Sequence, residues 1–145
     1  MSSVVFLHVF AVAFWLGCVA VEVVVEQVGL RREDLRAAVS QFHFYVDRFV
    51  EIPAITVVLL SGLWLFEPAR FVSDGLYTAK VIAGLLAVGA NIVSIHPVIM
   101  RKRAADDGDR AEVRRHGTRL NATVPVGVPA AVSALAIGGH FAGLY

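Results

Sequence analysis

The sequence predicts an all-α fold, a four-helix transmembrane bundle with its N and C termini on the outer side of the membrane. Three observations carry this. Of the 145 residues, 57% are hydrophobic and the mean hydropathy is +0.70. The apolar excess falls in four blocks, at about residues 4–28, 42–66, 76–100 and 118–144. Each block is about 25 residues long, enough to cross ~30 Å of hydrocarbon with some tilt. Finally, basic residues gather in the first and third connections between blocks and are sparse in the second. The blocks fill most of the chain, so residues 1–145 read as a single integral membrane domain with no separate soluble one.

The first helix begins close to the N-terminus, and Gly29 with the arginines of 31–36 ends it. Residues 31–41 read as a short surface helix or as the extended start of helix two. Pro53 lies inside helix two and frees a backbone carbonyl one turn earlier, near Phe49; Pro68 ends that helix. Asp74-Gly75 marks a turn. Pro97 sits in the last turn of helix three, where it is expected to disturb the hydrogen-bond ladder around 93–96. Residues 101–117 read as a polar loop with Asp106-Asp107-Gly108-Asp109 at its tip. That tip lacks the spacing of an EF-hand and reads as solvated. Helix four holds Pro125, Gly127, Pro129 and Gly138-Gly139, residues that membrane helices tolerate and that allow close packing.

The first connection carries Arg31, Arg32 and Arg36. The third carries Arg101, Lys102, Arg103, Arg110, Arg114, Arg115 and Arg119. The second has only Arg70 and Lys80. By the positive-inside rule, loops 29–41 and 101–117 are cytoplasmic, and the expected location is a bacterial inner membrane. The basic residues thus read as topological, and no nucleic-acid partner is expected. The single cysteine, Cys18, excludes an internal disulfide and reads as a small packing residue. Trp15-Leu16-Gly17-Cys18 is faintly like a lipoprotein cleavage site, but no basic residue precedes the apolar stretch, so no signal peptide is expected.

Ionisable groups inside such blocks are costly unless they pair, bind ions or carry protons. Six stand out: Glu22, Glu26, His43, Asp47, Glu51 and His96. Glu22 and Glu26 are four apart and share a helix face; His43, Asp47 and Glu51 form a stripe of successive fours on helix two. Counted in from the cytoplasmic ends, Glu22, Glu51 and Asn91 lie roughly 12–13 Å deep, and Glu26, Asp47, His96 and Asn121 roughly 6–7 Å deep. Polar groups from all four helices thus share two layers. Glu, Asp and His are a ligand set for iron, manganese and zinc, and several facing carboxylates and imidazoles build the di-iron and di-manganese sites of helical bundles. The expected site is mono- or dinuclear, with these six residues as ligands, Asn91 and Asn121 orienting them, and Arg48 balancing charge. Two other readings stay open: a structural network of ion pairs, with Lys80 or the loop arginines as partners, and a path for protons or ions.

On the outer side, His8 and His140 come from different helices and could hold a haem b axially, with Phe14, Trp15, Trp64 and Phe141 around it. His116, in the basic stretch, reads as solvated.

Several short motifs carry a distant resemblance. Phe6-Leu7-His8-Val9 and Trp15-Leu16-Gly17 in helix one, Asp47-Arg48-Phe49, Leu76-Tyr77-Thr78-Ala79-Lys80 and Leu120-Asn121-Ala122-Thr123-Val124-Pro125 resemble HemJ-type protoporphyrinogen oxidases and the related CopD-like membrane domains. The resemblance implies a four-helix redox or metal-handling membrane protein, with His8 and Lys80 at a haem. Glu22, Glu26, His43, Glu51 and His96 stand outside that pattern. The function expected first is a metal-binding membrane protein, a redox metalloenzyme acting on a lipid-soluble substrate such as a quinol or porphyrinogen. A haem b protein using His8, Lys80 and His140, or a metal or proton transporter, are the alternatives. A homodimer is compatible with each.

Overall fold

The computed structural model describes residues 2–143, all helical apart from turns and short connections. Helix α1 spans Ser3–Arg31, and the hydroxyl of Ser2 caps it by accepting from the Val5 N–H. A short 3₁₀ turn, Glu33–Leu35, leads into α2, Arg36–Val46. The chain then winds without a break through a π turn, Asp47–Glu51, into α3, Ile52–Trp64. Helix α4, Pro68–Ser73, is a single short turn of helix. The long α5, Gly75–Asp106, follows, then α6, Arg110–Asn121, and α7, Val124–Phe141. Helix α5 packs on α7, α6 and α2, while α1 packs on α3 and α7.

Three helical stretches are long and apolar enough to cross a membrane: Ser3–Gly29, Gly75–Asp106 and Arg110–Phe141. Their outer faces are apolar. Phe6, Phe10 and Phe14 stand exposed in a stacked row on α1, and Leu60, Leu63 and Trp64 are exposed on α3. The buried set, by contrast, includes Glu22, Glu26, His43, Glu51 and Arg101. An apolar exterior around a polar interior suits a solvent of acyl chains, in which exposed Phe and Leu cost nothing and charge must face inward.

Several boundaries differ from those read in the sequence. Helix α5 does not end near residue 100 but runs to Asp106, and Pro97, which has no N–H to donate, lies inside it. Residues 101–117 are therefore not a loop. They are the end of α5 and most of α6, joined by a turn at 107–109. Gly108 there has φ +74°, a backbone conformation glycine adopts without steric penalty. Pro68 does not end helix two, which stops at Trp64; it opens α4, where its missing N–H costs nothing. The stretch read as helix four turns at 122–123, separating α6 from α7.

The π turn sets the geometry of the site. The Ile52 N–H donates to the Asp47 carbonyl, five residues back, just before Pro53, which has no N–H to continue an α ladder. In a straight α-helix, residues four apart are about 40° out of line, so Glu51 would be about 80° away from His43. A π turn rotates less per residue and offsets that drift. His43, Asp47 and Glu51 consequently border one cavity.

The start of α5 depends on Asp74. Its carboxylate accepts from the N–H groups of Tyr77 and Leu76, at 3.1 and 3.0 Å, and from the Arg70 guanidinium at 3.1 Å. These donors, the Tyr77 N–H foremost, hold the carboxyl below the usual range. A depressed folded value means that this cap stabilises the protein fully above the ordinary carboxylate pKa and fades as pH falls through the folded one. Asp74→Ala should therefore lower the melting temperature of the detergent-solubilised protein at neutral pH. The gap to wild type should close as pH drops below about 4, read by circular dichroism.

Candidate metal centre

Five of the six expected ligands come together. His43, on α2, lies between two sets of carboxylates. Its Nδ1 is 2.9 Å from Glu26 Oε1, and its Nε2 is 3.3 Å from Glu22 Oε2 and 3.7 Å from Asp47 Oδ1. Glu51, 1% exposed, accepts from the Asn91 amide at 2.7 Å. One ligand atom each from Glu22, His43 and Asp47 lie within 4.8 Å of one another, spacing that a single ion can bridge. All these residues border a cavity of about 70 Å³ between α1, α2, α5 and α7.

The imidazole is held in a definite sense. The Arg101 guanidinium donates to Glu26 Oε1, the same oxygen that meets His43 Nδ1. An oxygen fixed by a cation is an acceptor, so His43 presents its Nδ1–H to Glu26, while its Nε2 faces Glu22 and Asp47. A carboxylate on one ring nitrogen and an ion on the other is the usual arrangement of metal-binding histidines. Glu26, expected as a ligand, meets both His43 and Arg101 through one oxygen.

Glu26 Oε2 has no hydrogen-bond donor, and Glu22 Oε1 and Glu51 Oε1 meet none beyond the contact the two carboxyls make with each other. The indole N–H of Trp15, which borders the same cavity, has no acceptor. Buried carboxylates with an open oxygen are costly unless a cation or donor meets them. Among the described ion pairs of the cluster, only Arg101 and His43 offer positive charge. Even with His43 protonated and one proton shared between Glu22 and Glu51, three negative charges would face two positive ones.

The remaining expected residues divide. Asn91 holds Glu51, and Asn121 borders the cavity. His96 does not join the cluster: it is exposed, and its ring lies 6.5 Å from that of His116. Its place in the expected site required Pro97 to bend the helix. Since α5 continues through Pro97, His96 keeps its phase of about 140° from Asn91 and faces away. Arg48 does not balance the acids either, being exposed beside the Phe49 ring, one residue off the stripe. Its role falls to Arg101, which continues the 87–91–94–98 stripe of α5 by another step of three. That spacing was readable, but a basic residue just past an apolar block had been assigned to a loop. Gly117 of α6 makes room for Arg101; a Cβ there would sit 3.6 Å from the guanidinium. His116 is not solvated as expected; it is buried, with Nε2 3.2 Å from Glu112.

On the other end, His8 Nδ1 lies 2.9 Å from the Ser61 hydroxyl, and its ring sits against Gly62. Lys80 lies over the Tyr77 ring and beside Gly138. His140 is exposed next to Phe141, Trp64 is 80% exposed, and Trp15 is buried at the acidic cavity. His8 and Lys80 are close enough for their charges to interact, and the Tyr77 and Phe141 rings link Lys80 to His140.

Compared with protein families, curated proteins and solved structures, the chain matches none. The likeness to HemJ-type and CopD-like proteins rests on the short motifs alone.

Removing one partner of a buried ion pair leaves the other charge uncompensated, at a cost of about 3–5 kcal/mol. Arg101→Met should destabilise the fold by that order, as measured by denaturant unfolding in detergent. Adding Glu26→Gln should recover part of the loss. Arg48→Ala, at an exposed site, should change stability by no more than about 0.5 kcal/mol.

Proposed function

We propose that this chain is an integral membrane metalloprotein that holds one divalent transition-metal ion at Glu22, His43 and Asp47, with Glu51 next to the ion. The reading takes the helical run from Arg36 to Trp64 as a fourth membrane crossing, its charges turned inward, with both termini outside. It places the basic ends of α5 and α6 in the cytoplasm and the ion in the cytoplasmic half of the bilayer.

The observation that carries the proposal is the convergence of three ligand atoms on a buried cavity whose neighbouring carboxylates have few donors. A divalent ion there would offset the excess negative charge that Arg101 leaves. Two carboxylates and one neutral imidazole form an oxygen-rich set suited to iron, manganese or zinc, not to copper(I). Three protein ligands would leave coordination positions free for substrate, the arrangement of catalytic sites as distinct from closed structural ones. A redox-active ion so placed would act on substrates dissolved in the bilayer. Glu26 and Arg101 would fix the imidazole, and Asn91 would fix Glu51.

Elemental mass spectrometry on protein extracted in mild detergent tests this. The wild type should carry about one ion per chain. Glu22→Gln, His43→Ala and Asp47→Asn should each lower occupancy by at least about tenfold. His96→Ala, away from the site, should retain it. A metal-free wild type, or loss in His96→Ala equal to that in His43→Ala, would overturn the assignment.

A further inference from the structure

Helix α6 turns one edge inward and leaves four arginines outside. Val113, His116, Gly117 and Leu120 are buried, while Arg110, Arg114, Arg115 and Arg119 are exposed. At about 100° per residue the arginines fall in two rows of step four, Arg110 with Arg114 and Arg115 with Arg119. The rows flank the exposed Ala111 and Thr118. Like charges four apart on a helix repel one another, so this face calls for a counter-charge.

The chain's own acids supply little of it. Elsewhere cations are matched: Arg32 with Asp34, Arg70 with Asp74, Lys102 with Asp106. On α6, Glu112 meets Arg115 and His116. Arg110, Arg114 and Arg119 make no ion pair among the described residues. Nearby acids are engaged elsewhere. Asp106 takes Lys102, and Asp109 caps α6 by accepting from the N–H groups of Ala111 and Glu112 at 3.0 and 3.1 Å.

Depth indicates what the arginines meet. Helix α7 has 18 residues, roughly 27 Å at 1.5 Å per residue, close to the ~30 Å of hydrocarbon. In a bilayer α6 would therefore emerge into the headgroup layer. Arg119 lies roughly 7–8 Å beyond Val124 and Arg114 roughly 15 Å, and their long stems can reach back towards the lipid. A guanidinium binds phosphate by two parallel hydrogen bonds, and basic clusters next to a cytoplasmic membrane end suit anionic lipids. We propose that the outer face of α6 binds anionic phospholipid headgroups of the cytoplasmic leaflet, with Arg114 and Arg119, one from each row, holding the phosphate. The proposal rests on the membrane reading above and is independent of the metal.

Native mass spectrometry of the intact chain in mild detergent tests it, with phosphatidylglycerol or phosphatidylcholine of identical acyl chains as the titrant. At about fivefold in affinity per surface arginine, the wild type should prefer phosphatidylglycerol by about twentyfold. Arg114→Gln combined with Arg119→Gln should bind the two lipids alike while melting as the wild type does, since both sites are exposed. The corresponding double lysine variant keeps the charge and should keep most of the preference. Arg32→Gln, at a residue already paired with Asp34, should keep it too.

Equal affinity of the wild type for both lipids would overturn the proposal. So would an undiminished preference in the double glutamine variant, or an equal loss in Arg32→Gln. Displacement of the lipid by equimolar glycerol phosphate would mark a site for soluble phosphate, and tighter binding of a uridine oligonucleotide at the same salt would mark a nucleic-acid surface; either result would overturn it. A chain that washes out of membranes in alkaline carbonate would defeat the membrane reading itself, an outcome visible before any lipid is added.

Discussion

The interior of this bundle is organised by charge compensation among buried acids. Glu22, Glu26 and Glu51 are buried and Asp47 nearly so, and taking a carboxylate out of water costs several kcal/mol even after relaxation. The Arg101–Glu26 pair carries much of the response. It links α5 to α1, and through His43 to α2, so that one guanidinium fixes the mutual position of three helices. The same contact settles which nitrogen of His43 faces the remaining acids. Structural packing and the chemistry of the site therefore share a single interaction.

Compensation by Arg101 is local. It satisfies one oxygen of Glu26 and leaves Glu22 Oε1 and Glu51 Oε1 with only each other's carboxyl. A network built only of protein ion pairs would be expected to close on itself, because each unsatisfied buried acceptor carries a desolvation cost of about 1–3 kcal/mol. On the Nδ1 side of His43, too, Glu26 Oε2 and Arg101 Nε are left without partners.

Much of this was legible in the sequence, and the failures have physical causes. Apolar blocks marked the long helices, since hydrocarbon thickness imposes a length that composition records. Steps of four brought Glu22 with Glu26, and His43 with Asp47 and Glu51. Asn91 was placed correctly by depth. Depth alone, however, does not fix azimuth: His96 matched its layer but is exposed, away from the cluster, on a helix that continues through Pro97. The polar stretch after residue 100 was mistaken for a loop because amphipathic, charge-rich helices such as α6 lack the apolar signal that marked the others. That mistake hid Arg101, whose position on the α5 stripe becomes evident only when the helix is continued past the apolar block. His8 meets Ser61, Lys80 lies over Tyr77 and His140 lies beside Phe141, contacts that the sequence pattern did not reveal.

The π turn shows how a sequence can spend one structural irregularity on a site. Pro53 removes a donor and so loosens the turn before it, and a regular α-helix would have let Glu51 drift out of register with His43. Underwinding restores the alignment, delivering three ionisable groups of one helix to the same cavity. The same segment ends in Val50, which lines a groove on the outside of the bundle, and Glu51, which lines the inner cavity. Neighbouring residues of one turn thus face the lipid side and the polar side of the bundle. With Glu22 bordering both spaces from α1, a single layer of side chains separates the outer groove from the acidic cavity.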